Sequence, residues 1–233
     1  MFSMSKHVVI AIDGPAGAGK STVAKGLAQL LNYVYVDTGA MYRAITFIVL
    51  KNNVEDNISE IIRIANESDI KLRYENGVTR VFINGEEVTE NIRTPEVNAK
   101  VSDVSKIPEV REQMVKIQRK LGENTNIIAE GRDTTTVVFP DATIKVYLTA
   151  SLNERVKRRY KELVEKGLEL TLEEVRENII QRDRIDSSRE ASPLKKADDA
   201  VEVDSTNMTI PDEIYKILNM IEEATGRKLK QSL

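Results

Sequence analysis

The segment from Gly14 to Ser21 constrains the fold more than any other part of this chain. It matches the phosphate-binding pattern G-x-x-x-x-G-K-[ST] and follows an apolar, β-branched run at 8–12 that is typical of a buried strand. A helical pattern over 21–31 comes directly after it. A strand, a glycine loop and a helix in this order direct backbone N–H groups at a polyphosphate, and the helix dipole also favours anions there. The sequence therefore predicts an α/β fold with a phosphate-binding loop.

Within this loop the residue types indicate separate tasks. Lys20 is predicted to reach the β- and γ-phosphates of a nucleoside triphosphate, and the Ser21 hydroxyl is predicted to bind Mg²⁺. The residues expected to bind the triphosphate are Gly14, Pro15, Ala16, Gly17, Ala18, Gly19, Lys20, Ser21 and Thr22. A chance glycine-rich turn is the competing interpretation, and the order of strand, loop and helix disfavours it.

Composition excludes several other classes of protein. The formal net charge of -3 over 233 residues argues against a general nucleic-acid binder. The absence of cysteine excludes disulfides, thiolate metal sites and cysteine nucleophiles, and His7 is the single histidine, which disfavours a histidine triad or a zinc site. We find no apolar run of membrane-spanning length and no signal-peptide pattern, whether translation starts at Met1 or Met4. A cytoplasmic enzyme, without membrane or nucleic-acid partners and monomeric, is the expectation.

The order of elements favours a parallel sheet with helices on both faces, because strand and helix patterns mostly alternate. Further strands are predicted at 33–36, 126–129, 143–148 and 200–203. Further helices are predicted at 40–50, 59–67, 95–105, 108–121, 152–166, 172–184 and 211–224.

One segment departs from this pattern. Residues 71–74 and 79–83 alternate polar with apolar side chains, and the pairs Asn76-Gly77 and Asn84-Gly85 are typical hairpin turns. This predicts a small antiparallel meander inserted into the parallel core. We therefore divide the single domain into a core (1–68 and 101–233), a nucleotide-binding insert (about 69–100) and, within the core span, a helical lid (about 151–189).

Arginines are concentrated on two predicted helix faces and behind two strands. Phosphoryl transfer needs several fixed cations around the phosphoryl oxygens, and arginine supplies them through a planar fork of donors. A solvated surface is the alternative interpretation of such charge runs, and the phosphate loop in the same chain favours the functional one. The arginines are Arg155, Arg158 and Arg159 on one helix, Arg182 and Arg189 around Asp186 on another, and Arg43 and Arg132 at strand ends.

Four motifs in this order resemble the bacterial cytidylate kinases, a family of P-loop nucleoside monophosphate kinases. They are 37–43 (DTGAMYR), 92–97 (IRTPEV), 130–133 (EGRD) and 182–189 (RDRIDSSR). The resemblance runs from about Val8 to the last helix. It implies a P-loop kinase fold with a parallel core, a mobile lid and a nucleotide-binding insert. It also implies transfer of the ATP γ-phosphoryl group to CMP or dCMP.

The resemblance further implies a role for individual residues. Lys20, Arg132, Arg182 and Arg189 are the expected catalytic set, and Thr38 and Tyr42 are expected to bind the acceptor nucleotide. Arg43, Arg132 and Arg189 are expected to hold the acceptor phosphate, Arg182 and Asp186 the ribose, and Ser102, Arg119 and Asp133 the cytosine ring. The cluster of Arg155, Arg158 and Arg159 is expected to close over ATP.

Cytosine chemistry agrees with the role given to Asp133. The carboxylate suits the N4 amino donor of cytosine, whereas uracil presents a carbonyl, which leaves a buried group unpaired at a cost of about 1–3 kcal/mol. A helix cap or a local ion pair with Arg132 is the alternative for Asp133. The chain also departs from the family pattern: Thr134-Thr135-Thr136 replaces Ile-Gly-Thr, which is expected to alter the turn beside the base, and Thr38 replaces a common serine.

Three rival functions stay open from sequence. The acceptor of a kinase of this type could be UMP, AMP or a metabolite hydroxyl, although the acceptor-side arginines favour a phosphorylated acceptor. A P-loop ATPase or switch module would hydrolyse its nucleotide without an acceptor, and the missing Walker B pattern disfavours it. A regulator that binds ATP without turnover is the third.

Overall fold

The computed structural model describes residues 7–75, 78–165 and 167–226. In chain order the strands are β1 (Val9–Asp13), β2 (Val34–Asp37), β3 (Ile70–Glu75), β4 (Val78–Ile83), β5 (Glu86–Glu87), β6 (Ile127–Gly131), β7 (Ile144–Thr149) and β8 (Val201–Asp204). The helices are α1 (Lys20–Leu31), α2 (Thr38–Lys51), α3 (Ile58–Glu67), α4 (Pro95–Ser105), α5 (Pro108–Leu121), α6 (Leu152–Glu165), α7 (Leu172–Ser188) and α8 (Ile210–Thr225). A 3-10 turn (Asn91–Arg93) and a single π turn (Thr134–Val138) complete the described elements.

Five strands form one parallel sheet in the order β2-β6-β1-β7-β8. This confirms the predicted parallel sheet, and β1 is its central strand. In its register Asp13 lies opposite Gly131 on one side and Tyr147 on the other. Parallel pairing brings the carboxyl ends of all five strands to one edge, where open α/β sheets bind ligands.

The insert is the predicted antiparallel meander, with strands β3, β4 and β5. Asn84 and Gly85 have φ values of 52° and 84°, as a two-residue hairpin turn with positive φ at both positions requires. The other predicted turn, Asn76-Gly77, lies outside the described residues.

Helices cover both faces of the sheet. On one face, Leu27 of α1 and Ile217 of α8 are fully buried against the sheet. On the other side, α2, α3, α4 and α5 share a core with the insert, in which Ile45 and Met114 are fully buried. Burial of one such side chain contributes about 1.5–3 kcal/mol, so these two cores hold the helices in place.

The observed helix ends lie within one residue of the predicted ends, except at the start of α2 and the end of α7. The α2 helix begins two residues earlier than predicted, because the Asp37 side chain accepts a hydrogen bond from the Ala40 N–H and caps it. The α7 helix begins at the predicted Thr171–Glu174 capping box but continues to Ser188 instead of ending near 184. Among the described helices none is both long and apolar enough to cross a bilayer.

Candidate active site

A cleft of about 1070 Å³ lies at the carboxyl edge of the sheet. On one side it is lined by 16–22 of the phosphate loop and the start of α1, and on the other by residues that follow β2 and β6. The predicted site residues that line it on the acceptor side are Thr38, Tyr42, Arg43, Ser102, Arg132, Asp133, Arg182, Asp186 and Arg189. The structure therefore brings together residues that are more than 150 positions apart in the chain.

The backbone of the phosphate loop has a conformation that only glycine adopts easily. Gly17 and Gly19 have φ values of 76° and 92°, in the left-handed region that favours glycine. A Cβ atom at Gly14 would lie 1.9 Å from the Leu148 carbonyl oxygen, so only glycine fits there. Gly14 and Pro15, which were also expected to bind the triphosphate, do not line the cleft. The Pro15 carbonyl accepts a hydrogen bond from Lys20 Nζ at 2.8 Å.

Oxygen donors meet at the start of α1. Ser21 Oγ donates to Glu130 Oε1 at 2.6 Å, and Tyr35 Oη donates to the same oxygen at 3.1 Å. A hydroxyl and a carboxylate beside a phosphate loop fit Mg²⁺, which takes oxygen ligands from one or two side chains together with substrate phosphates and waters. Glu130 belongs to the 130–133 motif, but no role was predicted for it from the sequence.

Cations crowd the middle of the cleft. Burial, with Arg132 nearby, lowers the pKa of Lys20 to about 7. Burial, with Arg132 and Arg43 nearby, lowers the pKa of Arg182 to about 9. Because a polyanion between these groups favours their charged forms, the arrangement suits a ligand with several phosphates.

Arg132 and Arg189 converge on one carboxylate of α7. Arg132 Nε donates to Asp186 Oδ2 at 2.8 Å, and Arg189 Nη1 lies 3.5 Å from Asp186 Oδ1. Although burial alone raises the pKa of Asp186, the two arginines lower it on balance. Arg182 Nε and Arg189 Nη2 are buried without a hydrogen-bond partner among the described residues, which leaves donors for an anion.

Asp133 lies at the far end of the cleft in a buried ion pair. Its Oδ2 accepts from Arg111 Nη2 at 2.5 Å, and its Oδ1 lies 4.0 Å from Arg189 Nη2. The side chain neither caps a helix nor pairs with Arg132, so both alternative interpretations of Asp133 are wrong. The Arg111 guanidinium also packs over the Tyr42 ring, 5.0 Å from its centroid.

The expectation for Arg119 is wrong. Its guanidinium donates to the carbonyl oxygens of Val137 and Val138 at 2.7 and 3.1 Å, outside the cleft. Arg111, more than two turns earlier on α5, is the helix arginine that enters the cleft, and it is only 3% exposed. Its place between Val110 and Met114 on the apolar helix face could have identified it, because a buried arginine needs a charged partner.

The expectation that Arg155 faces ATP is also wrong. Arg155 donates to the Ala16 carbonyl at 2.9 Å and to Asp183, which in turn accepts from the Ala16 N–H at 2.9 Å. The α6 backbone packs directly on the loop: a Cβ atom at Gly17 would lie 3.0 Å from the Arg155 carbonyl oxygen. Arg155 therefore holds the loop from behind, whereas Arg158 and Arg159 of the same helix do line the cleft.

Asp37 and Thr38, where β2 meets α2, contact other residues on the acceptor side of the cleft. Asp37, at the end of β2, lies 3.9 Å from Arg43 Nη1 and 3.7 Å from Arg93 Nη2, measured to its carboxylate oxygens. Thr38 Oγ1 donates to the Glu130 carbonyl at 2.8 Å, which ties β2 to β6. Arg93 lines the cleft but received no role from the sequence, although it belongs to one of the four motifs.

Known proteins match this chain over nearly its whole length. A family model described as cytidylate kinase matches residues 10–223. A cytidylate kinase of Caldanaerobacter subterraneus is 52% identical over 219 residues, covering 94% of this chain and 96% of that protein. A cytidylate kinase of Caldicellulosiruptor saccharolyticus is 47% identical over 225 residues, covering 96% of this chain and 100% of that protein. A solved structure of an uncharacterized protein from Eubacterium ventriosum has a similar fold, with a TM-score of 0.51 at 13% identity over 94% of this chain and 99% of that one.

Proposed function

The chain belongs to the cytidylate kinase family, and we infer from this premise that its cleft is where the γ-phosphoryl group of ATP passes to CMP or dCMP. The products are ADP and CDP or dCDP. The observation that carries the assignment is that one cleft joins a phosphate loop to the buried Asp133–Arg111 pair. The first feature suits a nucleoside triphosphate, and the second suits the edge of a pyrimidine base.

On the donor side, the loop N–H groups and Lys20 hold the ATP phosphates. Ser21 and Glu130 would hold Mg²⁺, which would supply positive charge to the ATP phosphates. Arg158 and Arg159 approach the same phosphates from α6. Burial and the nearby Arg132 lower the pKa of Lys20 in the empty cleft. Phosphates placed beside the lysine favour its charged form, so it is charged during transfer.

On the acceptor side, Arg43, Arg132 and Arg189 hold the CMP phosphate, and the position of Arg93 adds it to this group. Arg182 lies between donor and acceptor residues, and with Asp186 it also contacts the ribose. Since an acceptor phosphate oxygen is already ionised near neutral pH, transfer needs alignment and charge neutralisation but no general base.

The base end uses Asp133, Ser102 and Arg111, with Arg111 in place of the expected Arg119. Asp133 accepts from the N4 amino group of cytosine, while Ser102 and Arg111 donate to O2 and N3. Thr38 and Tyr42 complete the wall beside the nucleotide. Uracil leaves Asp133 facing a carbonyl oxygen, which predicts discrimination against UMP.

We further propose that the insert at about 69–100 and the lid at about 151–189 close on the core when both nucleotides are bound. Closure excludes water from the transferred phosphoryl group and so prevents wasteful hydrolysis of ATP. The position of α6, which contacts the phosphate loop through Arg155, supports a lid that responds to loop occupancy. We propose that the enzyme acts as a monomer, which light scattering after gel filtration tests.

Coupled ADP release with MgATP tests the reaction directly. The panel contains CMP, dCMP, UMP, AMP and GMP, beside a control without acceptor. We expect turnover that strongly favours CMP and dCMP, with a low background. Equal ADP release without an acceptor would establish the ATPase alternative, and a preference for UMP or AMP would overturn the assignment of the base end.

A further inference from the structure

Asp13 is a buried carboxylate next to the phosphate loop that the reaction does not itself use. It is the last residue of β1, is 0% exposed and directly precedes Gly14. Its Oδ1 accepts from the backbone N–H and the hydroxyl of Thr134, at 2.9 and 2.6 Å. Its Oδ2 accepts from the same two groups of Thr135, at 2.7 and 2.6 Å. Four donors from one dipeptide thus satisfy both oxygens.

The two threonines belong to the turn that follows Asp133. Residues 134–138 form a single π turn, and the N–H groups of Val137 and Val138 both donate to the Asp133 carbonyl, at 2.9 and 3.1 Å. Single π turns are rare and frequently lie at functional sites. Thr134 and Thr135 are the first two residues of this turn, directly after Asp133.

The four hydrogen bonds to Asp13 and close packing hold the backbone on either side of the two threonines. Thr134 and Thr135 are 0% and 1% exposed. A Cβ atom at Gly131 would lie 2.9 Å from Thr134 Cγ2, so the turn also packs directly on the end of β6. The carboxylate of Asp13 therefore fixes the position of the backbone that carries Arg132 and Asp133.

We propose that Thr134 and Thr135 are positioning residues, whose hydroxyls bind Asp13 and so hold the base-reading Asp133 in register with the phosphate loop. This rests on the proposed function. In-line transfer requires donor and acceptor to be aligned, and a displacement of about 1 Å can lower the rate about a hundredfold. The backbone N–H groups supply only two of the four hydrogen bonds to the carboxylate. Because burial raises the pKa of Asp13, the two hydroxyl hydrogen bonds also favour its charged form.

The test replaces hydroxyls with methyl groups of the same shape. T134V/T135V removes two donors, and the single variants T134V and T135V remove one each. T134S/T135S keeps both hydroxyls. T136V is the matched control, because the Thr136 hydroxyl belongs to the same turn and has no hydrogen-bond partner among the described residues. For each purified full-length protein we measure kcat and KM for CMP and UMP, the Kd for ATP, and the folded fraction by urea unfolding.

We expect T134V/T135V to lower kcat for CMP about tenfold to a hundredfold and to reduce the CMP-to-UMP ratio of kcat/KM, with the Kd for ATP unchanged. Each single variant should show part of this loss. T134S/T135S and T136V should stay within about threefold of the wild type, because neither removes a hydrogen bond to Asp13.

A purely structural role predicts a different result. If kcat per folded molecule and the base ratio of the valine variants, double or single, equal those of the wild type, the proposal is overturned even though the wild type phosphorylates CMP. Failure of the proposed function would show earlier and separately, as a wild-type protein that transfers nothing to CMP.

Discussion

Glu213 gives a quantitative test of the electrostatics beside the phosphate loop. The carboxyl lies in the first turn of α8, is 1% exposed, and has Oε1 at 3.7 Å from Arg158 Nη1. Burial raises its pKa from the ordinary 4.5 to about 7. An acid whose pKa is raised by folding adds stability that is fully present below pH 4.5 and is lost as the pH rises through 7. At about 1.4 kcal/mol per pH unit, the full effect is about 3 kcal/mol.

Glu213→Gln removes the titration and keeps the shape of the side chain. We expect the free energy of unfolding of this variant, relative to the wild type, to rise by about 2–3 kcal/mol between pH 5 and pH 8. Urea unfolding at several pH values measures it, and subtraction of the wild-type curve removes other titrating groups. Glu223→Gln is the matched control, since Glu223 is exposed on the same helix. A difference that stays constant with pH for Glu213→Gln refutes the reasoning.

Three further predictions concern the nucleotides. Lys20→Met should fold yet lose transfer about a hundredfold or more, because a phosphate cation is gone; near-wild-type turnover in the coupled assay contradicts this. ATP binding near pH 7.5 should take up a proton, since the pKa of Lys20 is about 7 without ligand and rises beside phosphates. Calorimetry in two buffers of different ionisation enthalpy measures the uptake, and identical heats would exclude it. Asp133→Asn should lower the CMP-to-UMP ratio of kcat/KM about tenfold, and an unchanged ratio would remove Asp133 from base selection.

The parts of the site that the sequence predicts well are those that lie in contiguous stretches. The phosphate loop is one such stretch, because its glycines, Lys20 and Ser21 act through local backbone geometry. Strands and helices follow from periodicity, and the hairpin turn at Asn84-Gly85 follows from the need for positive φ. These features depend on neighbours a few residues away, so sequence alone is sufficient for them.

The parts that the sequence missed depend on contacts between distant elements. Arg155 and Arg159 lie one helical turn apart, yet close packing of α6 on Gly17 turns the first toward the back of the loop and leaves the second in the cleft. Arg111 and Arg119 differ in the same way, because only one of them lies where α5 faces Asp133. Helix periodicity gives the face of a side chain, and only tertiary packing gives its partner.

The parallel sheet also separates the working edge of the molecule from an edge that is free to change. Cleft residues follow the carboxyl ends of the strands. The opposite edge of the sheet carries the start of β1, the end of α8 and the connection between α5 and β6. Glu123 and Asn124 of that connection are exposed and do not line the cleft. A circular permutant reopened between these two residues, or a reporter domain inserted there, should retain the arrangement of nucleotide-binding groups, which makes this connection the natural place to engineer the enzyme.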